Sequence, residues 1–124
     1  DVWQIIIDKS GRLIGSYNFG GSEFDRGTSI INGKWGSIFI TGYSRSLDGD
    51  MDSNKGENDI FLMYLPGDGS KLKTMTLGRE GQDFAYDVLV QRNGEVIVVG
   101  QSYSKNHPFD QNNGESDILV ARWR

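Results

Sequence analysis

The sequence predicts an all-β protein made of four-stranded antiparallel β-propeller blades, with about two repeats present, and three observations carry this prediction. The residues repeat at a constant offset of 58 along the whole chain. Short apolar segments alternate with turn residues, and no stretch shows helical periodicity. Runs such as Ile60-Phe61-Leu62-Met63 are apolar at consecutive positions, which indicates a sheet covered on both faces.

The repeat is clearest in a long polar loop between two apolar segments. Residues 42–61 and 100–119 are identical at nine of twenty positions. The whole chain, 1–124, is therefore interpreted as one propeller segment, with repeat units at 1–58 and 59–116 and the start of a third at 117–124. A period above about 40 residues with four strands is typical of a propeller blade.

Each unit is predicted to hold four strands, labelled A to D from the propeller axis outward. In chain order the predicted strands are C, Val2–Ile7; D, Leu13–Phe19; A, Thr28–Asn32; B, Ser37–Tyr43; C, Ile60–Leu65; D, Leu72–Leu77; A, Tyr86–Val90; B, Val96–Gln101; and C, Ile118–Trp123. Two repeats cannot close a ring, since propellers typically hold about 4 to 8 blades. We therefore expect the chain to be part of a larger propeller, or of one assembled from several chains.

This strand order places all the longer connections on one rim. The short A–B and C–D turns share one edge, whereas the D–A connections (20–27 and 78–85) and the long B–C loops (44–58 and 102–116) share the other. Binding residues tend to lie on loops that a rigid scaffold holds. The B–C loop rim is therefore the predicted functional surface, open to a protein or a glycan partner.

The composition argues against several classes of partner. A net charge of −4, without clustered lysines and arginines, disfavours nucleic acid. No apolar run approaches the roughly 20 residues that span a bilayer, so membrane insertion is not expected. No cysteine is available for disulfides, and no signal peptide is visible at Asp1.

The long loop of the first unit carries oxygen ligands at a spacing close to that of a calcium loop. The candidates are Asp48, Asp50, Asp52, Asn54 and Asp59, because carboxylates two residues apart can turn their oxygens toward one centre. The alternative is a solvated loop whose side chains cap their own backbone turns. The repeat keeps the last three of these residues but not the first two, which favours the capping interpretation.

Four further residues are candidates for ligand binding on the same rim. Asp25 and Asp83 precede the predicted A strands, where they are expected to accept backbone N–H groups, with a ligand contact as the alternative. Tyr43 and Tyr103 lie beside polar side chains, a combination that carbohydrate sites use. Packing at the rim is the alternative for both tyrosines.

No catalytic constellation is predicted. His107 is the only histidine and has no second histidine or cysteine with which to bind zinc. The chain contains no Gly-x-Ser-x-Gly nucleophile elbow and no phosphate-binding loop. An enzyme is therefore not expected from this segment.

A set of short motifs resembles a known family. The motifs are Phe19-Gly20-Gly21-Ser22-x-x-Asp25, Gly42-Tyr43-Ser44-x-Ser46, Asp48-Gly49-Asp50 and Gly56-x-x-Asp59. Together they resemble the surface β-propeller repeats of Bacteroidetes and of some archaeal secreted proteins. The resemblance implies a secreted or cell-surface bacterial protein. The second unit departs from the pattern at 78–81 and 106–108.

Three functional hypotheses follow from these observations. The first is a non-enzymatic exported module with a structural or protein-interaction role. The second is a lectin-like propeller that uses the loop rim, with calcium as a possible cofactor. The third is a non-catalytic part of a larger extracellular enzyme. Further propeller blades, in the same chain or in other chains, are expected partners in each case.

Overall fold

The computed structural model describes residues 1–105, 112 and 114–124. Within these residues the chain forms nine β-strands and one short 3-10 turn at Lys34–Gly36. The strands are β1 Val2–Ile7, β2 Leu13–Phe19, β3 Asp25–Asn32, β4 Ile38–Ser44, β5 Asp59–Leu65, β6 Lys73–Leu77, β7 Asp83–Val90, β8 Val96–Ser102 and β9 Asp117–Trp123. None of the helical structure in the described ranges is long and apolar enough to cross a membrane.

The strands form three antiparallel sheets. Sheet 1 has the order β1-β2, sheet 2 the order β3-β4-β5-β6, and sheet 3 the order β7-β8-β9. The all-β prediction is confirmed, and the predicted four-stranded antiparallel unit is present in sheet 2. In the described part of the chain the three sheets do not close into a ring.

Sheet 2 lies between the other two sheets and is buried on both faces. Phe61 and Met63 on one face share a core cluster with Val2 of sheet 1. Ile60 and Leu62 on the other face pack in a second cluster with Val88 of sheet 3. The consecutive apolar run of β5 is therefore explained by burial on both sides, as the sequence predicted.

Sheet 3 behaves differently, because only one of its faces is covered. Val96 and Val98 of β8 are buried in the cluster shared with sheet 2, whereas Val99 is 37% exposed. The apolar run of β8 predicts burial on both faces, and this expectation fails because no described sheet packs on its far side.

The first strands of sheets 2 and 3 begin earlier in the sequence than their apolar pattern indicates. β3 begins at Asp25 and β7 at Asp83, before the predicted starts. A β-bulge lies between Gly27 and Ser29 in β3, and β7 has one at the equivalent place. A bulge shifts the side-chain alternation by one residue, so the regular pattern becomes visible only after it.

Hydrogen bonds donated by side chains of β3 join sheets 2 and 3 at their first strands. The hydroxyl of Thr28 donates to the carbonyl of Ala85 at 2.9 Å. The hydroxyl of Ser29 donates to the carboxylate of Asp87 at 2.6 Å, and this hydrogen bond lowers the pKa of Asp87. These bonds fix the position of one sheet against the next and hence the rim above them.

Tight turns occupy the edge opposite the long loops. Gly69 and Gly94 have φ values of 76° and 93°, as hairpin turns with residues in the left-handed region require. Trp35 also has a positive φ, of 53°, and its side chain is 91% exposed. All long connections therefore lie on the other edge of the sheets.

Candidate functional site

The long connections converge on one edge of the sheets, which we call the loop rim. The loop rim comprises residues 20–24, 45–58 and 78–82 and the described residues among 103–116. Backbone hydrogen bonds link its segments: Asp50 donates to the carbonyl of Gly20 at 2.8 Å, and Tyr103 donates to the carbonyl of Gln82 at 2.9 Å. The loops are therefore held against each other as one surface.

Asp25 is a buried anchor of the loop rim. Its carboxylate accepts hydrogen bonds from the hydroxyl of Ser44 at 2.5 Å and of Ser46 at 3.1 Å, and from the backbone N–H of Gly21 at 2.8 Å. The residue is 4% exposed. Both carboxylate oxygens are thus occupied by groups that shape the connection around Gly21 and the end of β4.

Asp83 repeats this arrangement in sheet 3. Its carboxylate accepts from the hydroxyls of Ser102 and Ser104 and from the backbone N–H of Arg79. It is fully buried. The predicted role as an acceptor at the loop-to-strand junction therefore describes both aspartates, and their burial places them beneath the rim surface, out of reach of a bound ligand.

Asp59 is also buried, but its hydrogen bonding is incomplete. Oδ2 accepts the backbone N–H of Lys55 at 2.8 Å, whereas Oδ1 is buried without a hydrogen-bond partner. Burial raises the pKa of this carboxyl to about 6; the hydrogen bond from Lys55 lowers it, and the nearby carboxylate of Asp83 raises it. The ideal Cβ of an alanine at Gly78 would lie 2.3 Å from Oδ1, so only glycine fits beside it.

The predicted calcium ligands do not turn toward a common centre. Asp48 accepts the backbone N–H of Ser22 at 2.7 Å, and Asp50 accepts that of Gly20 at 3.1 Å. Asn54 donates to the carbonyl of Ser44 at 2.8 Å. Together with Asp59, whose carboxylate accepts the backbone N–H of Lys55, four of the five candidates thus bind backbone groups of the rim or of the strand that leads into it.

Asp52 lies in the same loop as these ligands, and Asp59 is the buried acid described above. Among the described residues no group of three or more acidic, histidine or cysteine side chains is placed to hold a metal ion. The geometry favours the capping interpretation of this loop.

A row of four aromatic rings runs along the loop rim across sheets 2 and 3. The ring centroids of Phe24 and Tyr43 are 6.1 Å apart. Phe84 meets Tyr43 edge-on at 4.8 Å and meets Tyr103 edge-on at 6.3 Å. The two tyrosines predicted from the sequence are therefore brought together through Phe84. Phe24 and Tyr103, at the two ends of the row, are 51% and 41% exposed.

A shallow polar depression lies on the same rim. It has a volume of about 440 Å³ and is lined by Glu23, Arg45, Gly56 and Glu57. Glu57 accepts a hydrogen bond from the side-chain amide of Gln82 at 2.5 Å. Glu23 precedes Phe24 in the sequence, and the backbone N–H of Arg45 donates to the carbonyl of Phe24 at 2.8 Å, so charged residues border the row at this end.

Polar groups also border the far end of the aromatic row. Tyr103 accepts a hydrogen bond from the amide of Gln101 at 3.3 Å, and the same amide donates to Ser116 at 2.6 Å. The hydroxyl of Tyr86 donates to the side-chain amide oxygen of Gln101 at 2.9 Å. The rings of the row are therefore accompanied by hydrogen-bonding groups on both sheets.

A cavity larger than the polar depression lies mostly outside the loop rim, although Gly49, Asp50 and Asp52 of the long loop line part of it. It has a volume of about 760 Å³ and is lined by, among others, Trp35, Phe39, Tyr64, Met75 and Val90. Its walls come mainly from strand faces and from the tight-turn edge. We place the candidate site on the rim, because the rim combines exposed rings with convergent polar groups.

Several residues of the loop rim and of the aromatic row were not singled out by the sequence. Phe24, Phe84 and Arg45 do not recur at the offset of 58, where the chain has Gln82, Arg26 and Tyr103. This departure is itself a usable signal: on a repeated scaffold, residues that break the repeat at rim positions are candidates for specific binding. His107, the lone histidine, lies outside the described residues.

A comparison of the chain with protein-family models and with curated protein sequences finds no match.

Proposed function

We propose that this chain is a non-enzymatic segment of an exported β-propeller whose loop rim binds a carbohydrate. The observation that carries the proposal is the aromatic row, exposed at its two ends and bordered by amide and charged groups. The stacked antiparallel sheets and the four-stranded repeat support the propeller architecture. The resemblance to secreted surface repeats supports the location outside the cell.

Carbohydrate fits the chemistry of the rim better than a compact apolar ligand does. A sugar ring presents an apolar C–H face that packs on an aromatic ring, and its hydroxyls need donors and acceptors at the edges of that ring. Phe24 and Tyr103 offer exposed rings, while Gln82 and Gln101 offer amides beside the row. The depression is shallow and open, which suits an extended saccharide lying across sheets 2 and 3.

The buried acids support a binding role rather than a catalytic one. A glycosidase needs two carboxyl groups that flank a bound sugar. Asp25 and Asp83 are buried and saturated with hydrogen bonds from serines and backbone groups. A panel of glycosidase and esterase substrates tests this point, and turnover of any of them would count against the proposal.

A glycan array followed by titration of the best polysaccharide tests carbohydrate binding. We expect binding to a defined saccharide class, and we expect Tyr103→Ala and Phe24→Ala each to weaken it roughly tenfold by removing one stacking surface. Tyr17→Ala is the matched control, since Tyr17 is a 52% exposed tyrosine on β2 of sheet 1 and is not part of the aromatic row.

The outcome separates the two kinds of rim partner. Equal loss of binding in the Tyr17 control would show that the rim is not the site. An array without any signal, with the protein folded, would overturn the carbohydrate proposal. A protein partner at the same rim, which the sequence also predicts, would then be the remaining candidate.

A further inference from the structure

The two ends of the sheet stack expose large apolar side chains. On sheet 1, the N-terminal face consists of Trp3, Ile5 and Ile7, which are 69%, 50% and 58% exposed. On sheet 3, the C-terminal face consists of Leu89, Val99, Ile118 and Val120, and its two most exposed members, Ile118 and Val120, are 86% and 63% exposed. Exposed apolar patches of this kind on a soluble protein mark interaction sites.

The repeat shows what covers the C-terminal face where a neighbour is present. Ile118 and Val120 correspond, at the offset of 58, to Ile60 and Leu62 of sheet 2. Both of these are 0% exposed, because they pack in a cluster with Val88 and other residues of sheet 3. The same positions are therefore buried when another sheet of this type stacks on them.

The N-terminal face has equivalent buried counterparts. Trp3 and Ile5 correspond to Phe61 and Met63, which are 0% exposed. In sheet 2 these residues are covered by Val2 of sheet 1 together with Met51 of the long loop.

Each sheet has an N-terminal side, which carries the positions equivalent to Trp3 and Ile5, and a C-terminal side, which carries those equivalent to Ile118 and Val120. Both junctions between sheets within the chain join these sides in the same order. At the first junction, Val2 on the C-terminal side of sheet 1 packs with Phe61 and Met63 on the N-terminal side of sheet 2. At the second, the C-terminal side of sheet 2 meets Leu119 and Trp123, which occupy the positions of Phe61 and Leu65 in the repeat. A C-terminal side meets an N-terminal side each time.

We infer that the C-terminal face of one chain docks on the N-terminal face of a second copy of this chain, head to tail. This contact would continue the stacking that already joins the three sheets, and burial of the apolar side chains on both faces would drive it. The two faces are different surfaces, so the contact is heterologous and generates rings or open arrays. The inference does not depend on the ligand of the loop rim.

Two single-face variants test the inference. Trp3→Glu/Ile5→Glu removes the N-terminal face, and Ile118→Glu/Val120→Glu removes the C-terminal face. Both change exposed positions, and circular dichroism with thermal melting checks that each variant folds. Leu47→Glu is the control, because Leu47 is a 70% exposed leucine on the long loop and lies on neither face.

The masses measured by light scattering after gel filtration distinguish the outcomes. We expect the unchanged chain and the Leu47→Glu control to form oligomers, each single-face variant alone to be monomeric, and an equimolar mixture of the two variants to form a one-to-one heterodimer. A monomeric unchanged chain at high concentration would overturn the inference. So would a dimer of either single-face variant alone, which would indicate a contact between like faces.

If a double substitution unfolds the chain, the single variants Trp3→Glu and Ile118→Glu are measured in the same way. They are expected to reduce the oligomer fraction at least tenfold. Unchanged oligomers in both single variants would contradict head-to-tail docking.

Discussion

The three buried aspartates beneath the loop rim differ in how completely their carboxyl oxygens are hydrogen-bonded. Asp25 and Asp83 each hold two serine hydroxyls and one backbone N–H. Asp59 holds one backbone N–H and keeps a buried oxygen without a partner. The hydrogen bonds of the first two therefore hold the rim segments in place, whereas burial disfavours the ionised form of Asp59.

Removing the fully hydrogen-bonded carboxyl group of Asp83 should destabilise the protein. We expect Asp83→Ala to lower the free energy of unfolding by about 2 to 4 kcal/mol, because the hydroxyls of Ser102 and Ser104 lose a charged acceptor inside the protein. Urea denaturation measures the change. Asp68→Ala, in an exposed turn, is the control and should change stability by less than about 0.5 kcal/mol; similar losses in both variants would refute the anchoring role.

Asp59 should make stability depend on pH. Its pKa is about 6 in the folded protein against an ordinary value of 3.8, so the folded state binds the proton more tightly. The contribution of this group is most favourable below about pH 4 and is lost as the pH rises through about 6. Asp59→Asn should remove this loss.

We therefore expect the unfolding free energy of Asp59→Asn, relative to the unchanged protein, to rise between about pH 4 and pH 6 by on the order of 1 to 2 kcal/mol, since solvent near the rim weakens the full effect. Denaturation curves at several pH values measure it. Asp52→Asn in the same loop, at an exposed position, is the control. A relative stability of Asp59→Asn that stays constant with pH would contradict the raised pKa.

The residues of the candidate site were only partly predictable from sequence. Tyr43 and Tyr103 were predictable because Tyr43 lies at the end of β4 and Tyr103 directly follows β8, next to the loop-bearing edge. Phe24 and Phe84 were not, because the aromatic row depends on contacts between sheets that sequence spacing does not reveal. The calcium-like spacing of Asp48 and Asp50 reflects caps on the neighbouring connection, and capping residues and calcium ligands share the same amino acids.

At the scale of elements, the long loop between β4 and β5 is part of the core as well as of the rim. Met51 is 4% exposed and packs with Phe61 and Met63. Asp50 and Asp48 tie the same segment to the connection before β3. The loop therefore covers the strand face that the narrow first sheet leaves open.

Truncating the buried side chain of Met51 in this loop should destabilise the folded protein. We expect Met51→Ala to lower the free energy of unfolding by about 2 to 4 kcal/mol through a cavity beside Phe61. Leu47→Ala in the same loop, where the side chain is exposed, should cost less than about 0.5 kcal/mol. Chemical denaturation distinguishes them, and equal stabilities would show that the loop is only peripheral.

The packing of this loop also bears on the calcium prediction. Asp48, Asp50 and Asn54 already bind backbone groups, so the loop is held without a metal ion. We expect equal melting temperatures in millimolar calcium and in chelator. A clear upward shift with calcium that Asp48→Asn abolishes would instead support a calcium site.

The strands themselves were largely predictable, and the departures have identifiable causes. All nine predicted segments are strands among the described residues, because apolar runs separated by glycine-rich turns carry the information locally. The early starts of β3 and β7 were not predictable, since their bulges break the alternation. Burial of β8 on both faces was predicted wrongly, because it requires a sheet beyond sheet 3.

At the scale of the whole molecule, the repeat explains both what is buried and what is exposed. Sheet 2 has neighbours on both sides and buries both faces, whereas sheets 1 and 3 each keep one apolar face in solvent. The offset of 58 relates the residues of the N-terminal face and of the C-terminal face to positions in sheet 2. Stacking of like sheets is therefore the principle that organises the molecule.

Sedimentation equilibrium of the unchanged 124-residue chain tests this principle most directly. We expect a mass of at least twice 13.8 kDa, because the C-terminal face of one copy would be covered by the N-terminal face of another. A single species of 13.8 kDa at all concentrations, with the fold intact by circular dichroism, would contradict it.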